Sequence, residues 1–401
     1  MRPTFSQLLL IKMKLSSRIR SVKPSATLSI NNKANELKAQ GYQVISMAVG
    51  EPDFPTPEHI CRACIDALKA GKTKYAATNG ILPLREVIAK KFQRENHLNY
   101  LPQQIVVNTG AKHSVYCVFQ ILLDPGDEVI IPAPYWVSYP EIVKLAGGEP
   151  VIVQTKEEDR FLMKPEQLEA AITDRTRALI INTPTNPTGQ AYSEDEIRAL
   201  GAVLRKHPDV AVVSDEIYEH LVYDGFKHVS FAAALPDLYD RVFTVNGYAK
   251  TYSMTGWRLG YVACPSLEAS DAIKRLQDQS TSGMTTFAQY GGVVALRDDQ
   301  ACVQRMLESF DERRKYIVQA LNELPGVECP NPRGTFYVFP NISGWGLSSQ
   351  EAAMRLLEDA YVATVPGSAF GGEGHLRLSF ATSMDVIEEA VKRIAEWIPT
   401  I

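Results

Sequence analysis

The sequence predicts an α/β fold with a mostly parallel sheet, followed by a second, smaller unit. Three observations carry this. Short β-branched apolar runs recur at 105–107, 129–131, 178–181, 210–213 and 242–245, each closed by polar, Gly or Pro residues. Runs this short and apolar on both faces suit strands buried between two helical layers. Helix-like stretches such as 164–172 and 193–206 lie between them, the alternation expected of α/β layers. After about residue 300 the pattern changes to a long charged helix, 303–324, then strand-like segments at 335–339 and 375–380.

Composition bounds the function. The 401 residues are 45% hydrophobic and 22% charged, enough for one large domain and a smaller one. The net charge of −4 and the absence of a Lys/Arg block argue against a nucleic-acid partner. No run of about 18 apolar residues exists, so no membrane span is expected. Between Met1 and Asn35 there are seven basic residues and no acidic one, in the manner of a transit peptide, but no small-residue cleavage site follows the short apolar run 8–11. Residues 1–15 therefore read as a disordered tail or a misassigned start, with Met13 the true one. Six cysteines scattered through a long chain predict reduced thiols in a cytoplasm. Cys61 and Cys64 form a CxxC, yet no second Cys or His pair stands at ligand spacing, so a metal site is not expected. Two thiols on the buried face of a helix over 58–70 is the simpler reading.

In open α/β sheets, ligands sit beyond the carboxyl ends of the strands. The first such segment, NTGAKHS (108–114), opens a helix whose free N–H groups would hold a phosphate, and it matches neither GxGxxG nor the P-loop pattern. Next, Trp136 in APYWVSYP has the shape to stack on an aromatic cofactor or to fill a core. Asn186 follows in NTPTNPTGQ. Asp215 in VVSDEIYEH suits either a helix N-cap or an anion that keeps a pyridine nitrogen protonated; Tyr218, one turn on, and Asn186 add hydrogen bonds for a phenolic oxygen. Lys250 lies five residues past the last strand run, in NGYAKTYSMTGWRLG. It is a candidate nucleophile for an aldehyde cofactor, and Arg258, eight residues later, suits a phosphate dianion.

These segments together carry a resemblance. The stretch 247–260 resembles the lysine-attachment signature of class I aminotransferases, and SDEIYEH and NPTG are similar to the family's other cofactor motifs. The spacings of Asn186, Asp215, Lys250 and Arg258 fit as well, and the likeness runs from about Ser16 to the C-terminus. It implies the fold type I of pyridoxal 5'-phosphate enzymes: a large domain (56–300) with a seven-stranded, mainly parallel sheet, and a small α+β domain made from 16–55 and 301–401. It also implies a homodimer with shared active sites.

By motif, Lys250 should carry the cofactor as a Schiff base and move the proton between the substrate Cα and the cofactor. Asp215 should pair with the pyridinium, and Tyr218 and Asn186 with the ring oxygen. Arg258 and the turn Gly110, Ala111 and Lys112 should hold the phosphate, and Trp136 the ring face. Tyr75 resembles the tyrosine that reaches the phosphate of the neighbouring subunit, and Arg377 in HLRLSF the arginine that grips the substrate α-carboxylate. One departure is visible: some branches place a serine ligand to the phosphate where this chain has Gly247.

KPSATLSI and GAKHS are similar to the prokaryotic-type aspartate aminotransferases. In that branch the lysine matching Lys112 meets the distal carboxylate, helped by residues matching Ser25 and Thr27, and some members also convert prephenate to arogenate. The expected reaction is L-aspartate with 2-oxoglutarate. Alternatives are an aromatic or alanine-type aminotransferase or a C–S lyase of the same fold. A cofactor-sensing regulator would carry a DNA-binding module before Ser16, for which there is no room, and the intact Lys250, Asp215 and Arg377 argue against an inactive scaffold.

Overall fold

A computed structural model describes residues 14–24 and 26–401; the expectations for residues 1–13 and for Ser25 lie outside the described residues. In chain order the strands are β1 (Ile45–Ser46), β2 (Ile105–Thr109), β3 (Glu128–Ala133), β4 (Glu149–Gln154), β5 (Thr176–Asn182), β6 (Ala211–Asp215), β7 (Val242–Gly247), β8 (Leu259–Ala263), β9 (Tyr337–Val338), β10 (Val362–Ala363), β11 (Val365–Pro366) and β12 (Leu376–Ser379). Seven form one sheet in the order β2-β8-β7-β6-β5-β3-β4. β7, β6, β5, β3 and β4 are mutually parallel, and β8 runs antiparallel to both its neighbours.

Each expected strand run is present, and two strands of the seven-stranded sheet were not foreseen. β4, EPVIVQ, is a half-buried edge strand that lacks a fully apolar signature. β8 was hidden inside the stretch recognised by its chemistry. Its direction has a simple cause: the connection 248–258 contains no crossover helix, so the chain turns back beside β7 rather than crossing over to run parallel. β2, antiparallel to β8, therefore runs in the same sense as β7. The carboxyl ends of β2, β5, β6 and β7 thus share one edge, where Asn182 pairs with Asp215 and Gly247 with Gly260 in register.

Alternate strand residues feed two cores. Ile105, Val107, Leu179, Ile181 and Val212 enter one cluster; Val106, Ala178, Ile180, Val213 and Val245 enter the cluster on the opposite face. Helices cover both, each with local reasons to start where it does. Glu194–Leu204, for example, is opened by a capping box between Ser193 and Glu196. Beyond the large sheet, β11, β12 and β9 form an antiparallel sheet, and β1 pairs parallel with β10. Met47 N–H donates to the Ala363 carbonyl at 2.8 Å and Ser379 N–H to the Met47 carbonyl at 2.7 Å, so residues 45–47 are stitched into the C-terminal segment.

Cys61 and Cys64 lie on the helix Glu58–Lys69, but both are half-buried rather than buried. Ile60 and Ala67 supply that helix's buried face. All six cysteines are unpaired. Among the described residues, no helix is long and apolar enough to cross a membrane.

Candidate active site

At the shared strand edge is a cavity of about 360 Å³. Thr27, Gly110, Ala111, Lys112, Trp136, Asn186, Asp215, Tyr218, Lys250, Arg258 and Arg377 all line it. Tyr75 does not: it is 95% exposed on the surface of its own chain.

Asp215 ends β6, buried. No α-helix begins there, so it is not an N-cap; instead its Oδ1 accepts from the Ile217 N–H at 3.3 Å within a turn. Its Oδ2 accepts from the Tyr139 hydroxyl at 2.7 Å. Burial pushes the carboxyl up to about 6, opposed by the Tyr139 hydrogen bond. Lys250 follows β7, and its Nζ donates to the Gly50 carbonyl at 2.5 Å. Burial and the Arg377 charge draw its ammonium down to about 8.

Arg377 projects from β12 and is 3% exposed. Its Nη1 donates to Asn186 Oδ1 at 3.0 Å and its Nη2 to the Ala48 carbonyl at 2.6 Å, while its buried Nε has no partner. Among the described residues it forms no ion pair, and a buried guanidinium without an anion is a site for one.

Gly110 has φ +81°, and a Cβ there would stand 2.7 Å from Arg258 Nη2. Only glycine allows this backbone to sit beneath the guanidinium. The helix Ala111–Leu122 starts immediately after, so its first N–H groups, which have no intrahelical partner, open on the cavity next to Arg258. At Gly247 a Cβ would lie 3.1 Å from both Gly260 Cα and the Leu259 carbonyl, so the close β7–β8 pairing would crowd a serine there. Lys112 reaches back so that its Nζ lies 4.9 Å from the Trp136 ring centroid; loss of water there and Arg258 lower its pKa.

Two functional neighbours were missed from sequence. Tyr139 stands three residues after Trp136, at the start of the helix Tyr139–Leu145, close enough in the chain to have been weighed with it. Tyr337 lies on β9, paired with β12 at Ser379, and nothing local marked it. Behind the cavity, Glu95, Glu219 and His220, and also Glu216, Glu219 and His228, approach closely enough to hold a metal. The Glu219 oxygens, however, already accept from Lys91, Asn96 and Asn246.

A lysine ammonium with a lowered pKa, a buried carboxylate, an anion cradle and an arginine outside any ion pair among the described residues together fit a phosphorylated pyridine aldehyde and an amino acid. The comparisons agree. The family model described as aminotransferase class I and II matches residues 42–394. An aspartate aminotransferase of Geobacillus stearothermophilus is 50% identical over 95% of this chain and 98% of its own length. An aspartate/prephenate aminotransferase of Nitrosomonas europaea is 47% identical over 96% and 99%. The structure of the Thermus thermophilus aspartate aminotransferase with maleate superposes with a TM-score of 0.92 at 44% identity, covering 96% of this chain and 99% of that one. The chain belongs to the class I and II aminotransferases, enzymes of pyridoxal phosphate fold type I that exchange amino groups between amino and oxo acids.

Proposed function

We propose that this enzyme transfers the amino group of L-aspartate to 2-oxoglutarate, giving oxaloacetate and L-glutamate, with pyridoxal 5'-phosphate held at Lys250. The observation that carries the substrate is a pair of cations on different walls of one cavity, Arg377 from β12 and Lys112 from the helix Ala111–Leu122, neither in an ion pair among the described residues. A dicarboxylate needs a cation for each end once water is excluded. The names of the relatives at 50% and 47% identity support the same choice.

When bound, the cofactor supplies an electron sink for the charge left at the substrate Cα. Lys250 Nζ, lowered to about 8, can hold an aldehyde covalently and, once released, take the Cα proton near neutral pH. Asp215 keeps a pyridine nitrogen protonated, with Tyr139 favouring the charged carboxylate. Tyr218 and Asn186 orient the ring oxygen, and Trp136 covers the ring face. Arg258 and the N–H groups of the 110–112 turn hold the phosphate. Arg377 fixes the α-carboxylate, and Thr27 lines the same cavity.

The working form is a homodimer in which Tyr75, outside its own chain's cavity, serves the neighbouring phosphate. A cytoplasmic setting fits the six unpaired cysteines. The test is a half-reaction panel on the loaded enzyme, followed by visible absorbance, with aspartate, alanine, phenylalanine and cystathionine as donors and prephenate as an added acceptor. Aspartate should have the highest kcat/KM; a higher value for alanine, phenylalanine or cystathionine overturns the assignment.

A further inference from the structure

Tyr337 sits between two groups given separate tasks above. Its ring lies under Arg377, with the guanidinium carbon 4.4 Å from the ring centroid. Its hydroxyl lies 3.1 Å from the Tyr218 hydroxyl. Tyr337 is also pressed against the segment that receives Lys250: a Cβ on Gly50, whose carbonyl accepts from Lys250 Nζ, would meet the Tyr337 hydroxyl oxygen at 2.2 Å. The residue is 1% exposed, yet it lines the cavity.

Two physical consequences follow. Arg377 has no carboxylate partner, so the ring face of Tyr337, with that of Phe370 at 5.0 Å, is what stabilises its charge before a substrate arrives. Asn186 and the Ala48 carbonyl fix only two of its nitrogens. The two hydroxyls share one hydrogen bond, and one must donate. If Tyr218 is to give its proton to an anionic oxygen in the cavity, Tyr337 must be the donor in that pair. The Tyr218 oxygen is then polarised and its own O–H freed toward the cavity.

We propose that Tyr337 is a positioning residue that couples substrate-carboxylate binding to the Tyr218 hydroxyl: its ring holds Arg377 in its anion-binding pose and its hydroxyl directs the Tyr218 proton into the cavity. This rests on the aminotransferase reading of the site, and on Tyr218 facing an anionic oxygen there. The two parts of the side chain can be separated by substitution. Tyr337→Phe keeps the ring and removes the hydroxyl; Tyr337→Leu removes both.

The experiment measures two quantities on loaded wild-type and variant enzyme. One is the dissociation constant of maleate, a dicarboxylate with no amino group to transfer. The other is the pH midpoint of visible absorbance without substrate. Tyr337→Phe should bind maleate within about 2-fold of wild type. Its midpoint should move up by about half a pH unit to one unit, because a less polarised Tyr218 gives a weaker hydrogen bond to an anion and the Lys250 nitrogen keeps its proton to higher pH. Tyr337→Leu should show that shift and also bind maleate about 5- to 30-fold more weakly, the range for a desolvated cation–π contact.

A midpoint unmoved in Tyr337→Phe overturns the hydroxyl half of the proposal, and wild-type maleate affinity in Tyr337→Leu overturns the ring half. If Tyr337→Leu does not fold, Tyr337→Met replaces it, with the same outcomes. Failure of the aspartate reading is separately visible, as low wild-type turnover with aspartate while both shifts between wild type and variants persist.

Discussion

Two buried arginines in this chain face opposite situations. Arg314, 1% exposed on the helix Ala301–Asn322, is saturated: Asp311 Oδ1 accepts from its Nε at 2.9 Å, Asp224 Oδ1 from its Nη2 at 2.8 Å, and Asn331 from its Nη1. Arg377, equally enclosed, has an amide oxygen, a carbonyl and an orphaned Nε. The lysines repeat the contrast. Lys91 is bonded to Glu219 and to Asn96 at 2.9 Å, whereas Lys250, among the described residues, hydrogen-bonds only to a backbone carbonyl. A buried charge costs several kcal/mol unless its partners are supplied within the fold. Where they are, the charge serves the architecture; where they are not, the charge is a candidate ligand contact, as proposed for Arg377 and Lys250.

The sharpest way to break this comparison is to delete both lysines in turn. Lys250→Ala should reduce turnover by roughly 10⁴-fold or more, through loss of the proton-transfer base, with a melting temperature no lower than wild type. Lys91→Ala should instead lower unfolding free energy by about 3–5 kcal/mol, because Glu219 is left buried without its cation. Denaturant titration beside steady-state rates would show both, and a stability loss in Lys250→Ala equal to that in Lys91→Ala would erase the distinction. The next largest effect is expected at Arg377. Arg377→Lys keeps the charge but not the two-pronged geometry, and should cut kcat/KM roughly 100- to 1000-fold for aspartate and alanine alike. A loss confined to aspartate would move Arg377 to the distal carboxylate.

Lys112→Ala should affect substrates unequally: roughly 10- to 100-fold for aspartate and under about 3-fold for alanine at saturating cofactor, since its side chain is partly in water. Equal losses would remove it from substrate recognition.

Asp215 offers the smallest and most specific test, in the protein freed of cofactor. Its carboxyl is raised to about 6 in the fold, against about 4 when unfolded. Between those values the folded chain holds a proton that the unfolded chain has released. The contribution of this group is therefore complete below pH about 4 and is lost as pH rises to about 6, by roughly 3 kcal/mol in all. Asp215→Asn should flatten that part of the stability profile. An unchanged profile would mean that the carboxylate is already paired inside the fold, as Glu219 is.

Residue pattern alone determined the layered α/β plan, because strands buried on both faces must be apolar throughout and Ala178 to Ile181 or Val242 to Val245 leave few other options. It also determined which residues to inspect: Asp215 stands at a strand end and Lys250 and Asn186 just after one, where a parallel sheet exposes them to a ligand, and Arg258 follows Lys250 by eight residues. Pattern could not determine partnership. That β8 returns antiparallel, placing Gly260 against Gly247 and crowding the space for a serine, depends on a pairing between strands. That Tyr139 meets Asp215 across 76 positions, and Tyr218 meets Tyr337 across 119, is decided only when helix and sheet pack. Local sequence carries periodicity and chemistry, whereas a hydrogen bond between distant residues exists only after the cores on both sides of the sheet have closed. The same holds for the arginines: the motif around Arg377 marks it by resemblance, but that Arg314 is satisfied inside the fold while Arg377 keeps an orphaned Nε is decided only by packing.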